Sequence, residues 1–192
     1  MKTDTAKSLL FTGLALSLLL YPLTACDRTQ DSDTGSPKDT DVLEKRLRNL
    51  EDREEIRRLL IDYGRFLDRR DFKAFSQLFA EEEGEWIGGM GKARGREAIR
   101  ELMEEKIGGG EIEASNYHLF TNDSIDLNGD SATATTKWVF VIRNDSGLPQ
   151  PLYLGHYEDR FKRENGQWKF LRRIAYSDIP EDPSAERLRQ LP

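Results

Sequence analysis

The sequence contains one cysteine, Cys26, and two histidines, His118 and His156. A single cysteine excludes an intrachain disulfide and every metal or redox motif built on a cysteine pair. No His-x-His, Cys-x-x-Cys or His-Glu-x-x-His spacing occurs, so the expectation is chemistry without metal or cofactor. The triple glycine Gly108 to Gly110 lacks the lysine and hydroxyl of a phosphate-binding loop. The formal net charge of −6 disfavours nucleic acid as a partner. No internal repeat is present. The apolar run Leu9 to Leu20 is shorter than the roughly 20 residues that a membrane-spanning helix needs.

That run has a different use. Lys2 and Lys7 precede it, and Leu23-Thr24-Ala25-Cys26 closes it, so residues 1–25 read as a targeting segment outside the fold. The tetrapeptide resembles the bacterial lipobox, which implies diacylglycerol attachment at Cys26, cleavage before it, and a lipid-anchored protein of the bacterial cell envelope. The competing reading is an ordinary cleavage site followed by a free thiol. Asp27, by resemblance to enterobacterial lipoproteins, favours the periplasmic face of the inner membrane over the outer membrane. Residues 26–40 hold nothing large and apolar beyond the cysteine and read as a flexible tether.

Residues 41–180 suffice for one domain with one core, followed by a tail over 181–192. Apolar residues recur at Leu43, Leu47, Leu50, Ile56, Leu59, Leu60, Tyr63 and Leu67, a helical stripe, and the charges between them read as a solvated face. Asp71 caps a second helix predicted over 72–79, and a third is predicted over 96–106 after a short strand at 85–90. Beyond Glu111 the period changes to alternation. Four strands are expected over 114–127, 131–143, 151–163 and 167–176, separated by Asn128-Gly129-Asp130, Asn144 to Gly147 and Glu164-Asn165-Gly166. Helices followed by a meander define an α+β domain, with N-terminal helices on a curved antiparallel sheet. Ala132, Ala134, Thr136, Trp138, Phe140 and Ile142 share one face of a strand, so the concave side should be apolar and suited to a small hydrophobic molecule.

His118 lies in the run Asn116-Tyr117-His118-Leu119-Phe120-Thr121-Asn122, and Asp68 lies near the end of the first helix. A carboxylate on one imidazole nitrogen fixes the tautomer and makes the other nitrogen a base able to take a carbon-bound proton. Each residue has a structural alternative. His118 can be a satisfied core histidine, and Asp68 a helix-end residue bonded to local amides. Tyr63 sits on the helix stripe, and Arg173 has Glu158 and Asp159 as candidate partners on the sheet surface. His156 and Tyr157 alternate, so only one of them faces inward, and Tyr157 is the better candidate. Trp86, Trp138, Phe140 and Tyr157 are the candidate ligand-binding walls, with packing as the alternative for the tryptophans.

A long helix ending in Asp68-Arg69-Arg70-Asp71-Phe72, a Gly84-Glu85-Trp86 strand, a histidine near Thr121-Asn122, and a closing Gly166-Gln167-Trp168-Lys169-Phe170 strand resemble the SnoaL-like branch of the NTF2-like superfamily. The resemblance spans about Leu50 to Asp178 and implies the cone-shaped fold. Its nearest functional pattern is that of bile-acid 7α-dehydratase, scytalone dehydratase and lindane dehydrochlorinase, which implies Asp68 and His118 as a proton-abstracting pair. It also implies Tyr63 as a donor to an oxygen, and Arg173, or Arg172, as the cation for an anionic or departing group. Two departures stand out: Ile142-Arg143 replace the second histidine of scytalone dehydratase, and no carboxylate stands near Ile87-Gly88, where ketosteroid isomerases carry their base. The resemblance thus implies a cofactor-independent lyase of the dehydratase type acting on a small hydrophobic substrate. The alternative is a non-catalytic ligand-binding or envelope-associated lipoprotein, and a homodimer or trimer formed through the sheet's outer face is compatible with both.

Overall fold

The computed structural model of the protein describes residues 37–108 and 116–181. Helix α1 runs over Pro37–Asp68. Proline in the first turn lacks an N–H that would have no intrahelical partner there, so it suits the start. The helix thus begins inside the stretch expected to be tether. Its 32 residues span about 48 Å at 1.5 Å per residue. Only its second half is covered: Ile56, Leu59, Leu60, Tyr63 and Leu67 are buried, whereas Leu43, Leu47 and Leu50 are exposed. The continuous apolar stripe in the sequence is therefore not a continuous buried one among the described residues.

Two short pieces follow, α2 (Phe72–Ser76) and the hairpin β1 (Glu85–Gly88) and β2 (Gly91–Arg94), and then α3 (Arg96–Ile107). Asp71 caps α2 by accepting from the Ala74 amide at 3.0 Å. The second hairpin strand was not expected, because Gly91-Lys92-Ala93-Arg94 shows no apolar alternation. Four long strands complete the chain: β3 (Asn116–Asn128), β4 (Ser131–Arg143), β5 (Pro149–Glu164) and β6 (Gln167–Ile179). The sheet order is β2-β1-β6-β5-β4-β3. The meander is antiparallel as expected, but β1 pairs in parallel with β6, so the sheet is mixed. Register shifts between Thr121 and Ser124, Phe140 and Val141, Leu154 and Gly155, and Arg160 and Phe161 bend the strands. Bulges of this kind curl a sheet and give it a concave face.

The helix lies against the concave face, with Tyr63, Phe75, Phe79, Phe161, Phe170 and Trp168 in the core. Gly64 sets the closeness of α1 to β3, since a Cβ there would stand 2.4 Å from the Phe120 ring and 3.4 Å from the His118 Cβ. Polar ties reinforce the docking. Asp52 accepts from Arg163 at 2.5 Å and from the Trp168 indole at 3.0 Å, Arg57 pairs with Asp123 at 3.0 Å, and Arg53 donates to the Ile125 carbonyl. The helix charges at Arg53 and Arg57 are therefore not merely a solvated face. They bind the backbone and a side chain of β3 because that strand passes beneath them.

Helix α1 ends in a Schellman motif: the Arg70 amide donates to Leu67 O at 3.1 Å and the Asp71 amide to Phe66 O at 2.9 Å. The residue between them that turns the chain is Arg70, at φ 56°. Glycine is the usual occupant, and a side chain in this left-handed conformation costs about 1 kcal/mol.

On the outer face, Leu119, Val139, Leu154 and Ile179 stand opposite one another across β3, β4, β5 and β6. Leu119, Leu154 and Ile179 are exposed. An apolar patch of this kind is what association through the outer face requires.

Candidate active site

The end of α1 and the start of β3 meet at Asp68. One carboxylate oxygen lies 2.6 Å from His118 Nδ1 and also accepts from the Asn116 side-chain amide at 2.8 Å, while the other accepts from the His118 backbone amide at 2.9 Å. Three contacts from one strand fix the carboxylate, so Asp68 is bonded across 50 residues of sequence rather than to its own helix end. With Nδ1 facing a carboxylate, the neutral ring carries its proton there and leaves Nε2 as the acceptor. The His118 ring packs 4.8 Å from Phe140 and 6.4 Å from both Trp138 and Phe120, and its side chain is 13% exposed.

His118 opens on a cavity of about 450 Å³ lined by aromatic and aliphatic side chains. All four expected wall residues, Trp86, Trp138, Phe140 and Tyr157, line it, together with Tyr63. Gly155 makes room for the Trp138 ring, whose atoms would lie 2.6 Å from a Cβ at that position. The Tyr63 hydroxyl accepts from the Trp86 indole N–H at 2.9 Å, and the Tyr157 hydroxyl and Arg173 guanidinium also interact with it. Burial pushes the Tyr63 phenol above its ordinary pKa, opposed in part by the nearby Arg173 charge. It therefore keeps its proton at neutral pH and acts as a hydrogen-bond donor. Tyr157 is shifted upward in the same direction, chiefly by burial.

Arg173 corrects an expectation. It does not line the cavity and is not on the sheet surface. Its guanidinium is fully buried and makes two 2.7 Å bonds to Asp159, with its centre 4.0 Å from the Tyr63 and Tyr157 rings and 4.3 Å from Phe170. Burial opposes its charge, but the Asp159 carboxylate more than offsets this and holds the guanidinium protonated. Arg173 thus positions the tyrosines from beneath rather than meeting a ligand. Arg172 pairs with Glu85 at 3.2 Å, across the β1–β6 pairing. His156 faces outward, where Nδ1 lies 2.8 Å from Asp178 and the ring stacks on Tyr176 at 4.6 Å. Among the described residues, no three His, Cys, Asp or Glu side chains converge to hold a metal ion.

Nine lining residues were not foreseen, among them Asn116, Tyr153 and Arg70. Asn116 was legible, since it stands two residues before His118 in a strand and so shares its face. Arg70 carried a fainter signal, the absence of a glycine after a long helix.

A family model described as a SnoaL-like domain matches residues 48–174, a span that holds Tyr63, Asp68, Arg70 and His118. The chain belongs to the SnoaL-like domain family. A crystal structure of an NTF2-like protein with a cystatin-like fold from Novosphingobium aromaticivorans is 32% identical, covers 78% of this chain and 96% of its own, and superposes with a TM-score of 0.66. A protein of the same organism described as a candidate scytalone dehydratase is 27% identical over 67% of this chain and 85% of its own, with a TM-score of 0.57. An uncharacterised protein of Mycobacterium tuberculosis is 27% identical over 127 residues, 65% of this chain and 84% of its own. Membership of a fold family does not fix function, so function has to be read from the lining of the cavity.

Proposed function

We propose that the protein is a cofactor-independent lyase that eliminates water, or an equivalent leaving group, from a small hydrophobic substrate. The observation that carries this reading is the 2.6 Å contact between Asp68 and His118 Nδ1 at the wall of an apolar cavity. His118 Nε2 takes a proton from a carbon next to the one bearing the hydroxyl. The C–H electron pair becomes the new double bond and the C–O bond breaks. Tyr63 donates a hydrogen bond to the departing oxygen and, with its pKa pushed up by burial, keeps its proton. The imidazolium then gives its proton to the departing hydroxide, so water and an alkene leave and His118 returns to its starting state. Asp68 holds the tautomer and offsets the transient charge on the ring. The similarity to a candidate scytalone dehydratase supports a reaction of this class.

The test is a screen of hydroxylated and halogenated cyclic compounds with wild type and His118→Ala, read as alkene formation. Turnover by wild type that falls at least about 100-fold in the variant is expected for loss of a general base. Turnover that survives the substitution removes the mechanism. We further propose that lipid at Cys26 ties this domain to a bacterial envelope membrane, which places the cavity where amphipathic small molecules collect.

A further inference from the structure

Arg70 is the one lysine or arginine among the described residues that line the cavity, and that lining contains no aspartate or glutamate. Among the described residues, its guanidinium is anchored on one side only. Nη1 donates to the Ile107 and Gly108 carbonyls at 2.8 and 2.9 Å, at the negative end of the α3 dipole. Nε is shut off from solvent with no acceptor, and no hydrogen bond from Nη2 to the protein is present among the described residues. With Nε closed to solvent, the guanidinium meets a ligand through Nη2, by a charge-assisted bond to a carboxylate oxygen. The backbone adds an independent observation, because Arg70 occupies the left-handed position of a Schellman motif at φ 56°, where glycine is the relaxed choice. Opposite Arg70 stand the aromatic walls Trp86, Trp138, Phe140 and Tyr157, which suit a ring.

We propose that Arg70 binds a carboxylate of the substrate, so that the cavity takes an aromatic or alicyclic carboxylic acid whose ring lies against the aromatic walls. The position of the reacting carbon at His118 Nε2 rests on the elimination reading above; the carboxylate contact at Arg70 does not. The acid serves as a handle away from the reacting bond, and it gives an otherwise apolar cavity a fixed orientation for its ligand.

The test is calorimetric titration of the full chain with 2-naphthoate and with its neutral isostere 2-naphthamide. Wild type should bind the acid at least about tenfold more tightly than the amide, as a charge-assisted pair implies. Arg70→Gln should lose that preference with amide affinity unchanged, Arg70→Lys should keep part of it, and His118→Gln should keep all of it. Equal binding of acid and amide by wild type, no binding of either, or a preference that survives Arg70→Gln or vanishes with His118→Gln overturns the proposal. Circular dichroism and melting temperature establish that each variant is folded. A second readout needs no variant of uncertain folding: the Arg70 Nε–H resonance of wild type, assigned by its absence in Arg70→Lys, should move with naphthoate, as the guanidinium is polarised through Nη2, and not with naphthamide. A resonance that does not move overturns the proposal. Neither readout depends on turnover, so a failed elimination screen leaves the carboxylate site standing, and a lost acid preference leaves the dyad standing.

Discussion

At the scale of single residues, the site divides into groups that touch a ligand and groups that hold them. His118, Tyr63 and Arg70 line the cavity, whereas Asp68 acts through His118 and Arg173 through the rings stacked on it. Asp68 and His118 are 50 positions apart, and no periodicity in the sequence connects them; the resemblance to a family supplied the pairing. The same resemblance misassigned Arg173 as a ligand-facing cation. Alternation along β6 could place that side chain on the inner face, but not reveal that Asp159 on the neighbouring strand neutralises it there. The cation that does reach the cavity, Arg70, stands in the quoted Asp-Arg-Arg-Asp run. Its role was hidden because a left-handed backbone angle is visible only once the helix end is built.

At the scale of elements, α1 acts as a lever that brings Asp68 to the sheet, and its docking is partly electrostatic. Burial works against the charge of Asp52, but its bonds from Arg163 and Trp168 outweigh this and hold the carboxyl below its usual range. A carboxyl lowered in the folded state contributes stability that is complete above its unfolded pKa and is lost as pH falls through its folded pKa. The advantage of wild type over Asp52→Asn should therefore be full near pH 7 and close in acid, as urea unfolding at a series of pH values would measure. A deficit of equal size at pH 7 and at pH 3 would contradict this assignment. The long strands were the most legible elements, because alternation and paired turn signals agree; β4 begins and ends where the sequence placed it. Strand β2 and the parallel β1–β6 pairing were not legible, since β2 is too short for a pattern and the pairing joins residues 87 positions apart. Gly64 gave no signal either, since its smallness matters only against Phe120, a residue on another element.

At the scale of the whole molecule, the proposed lipid at Cys26 would tie the cavity-bearing domain to a membrane. Cys26 lies outside the described residues, and the anchoring proposal makes its own prediction: wild-type chain expressed in a bacterial host sediments with membranes, and Cys26→Ser moves to the soluble fraction. Membrane association that persists in Cys26→Ser would remove the lipid from the account. The catalytic proposal reduces to one property, a bare Nε2 on His118 presented to the cavity, and long-range ¹⁵N–¹H NMR reads it without a substrate. With the second histidine assigned through His156→Gln, the neutral His118 ring of wild type should show a protonated Nδ1 and an unprotonated Nε2, and Asp68→Asn should erase that tautomer preference. A wild-type His118 with its proton on Nε2 would have no base to offer and would contradict the account.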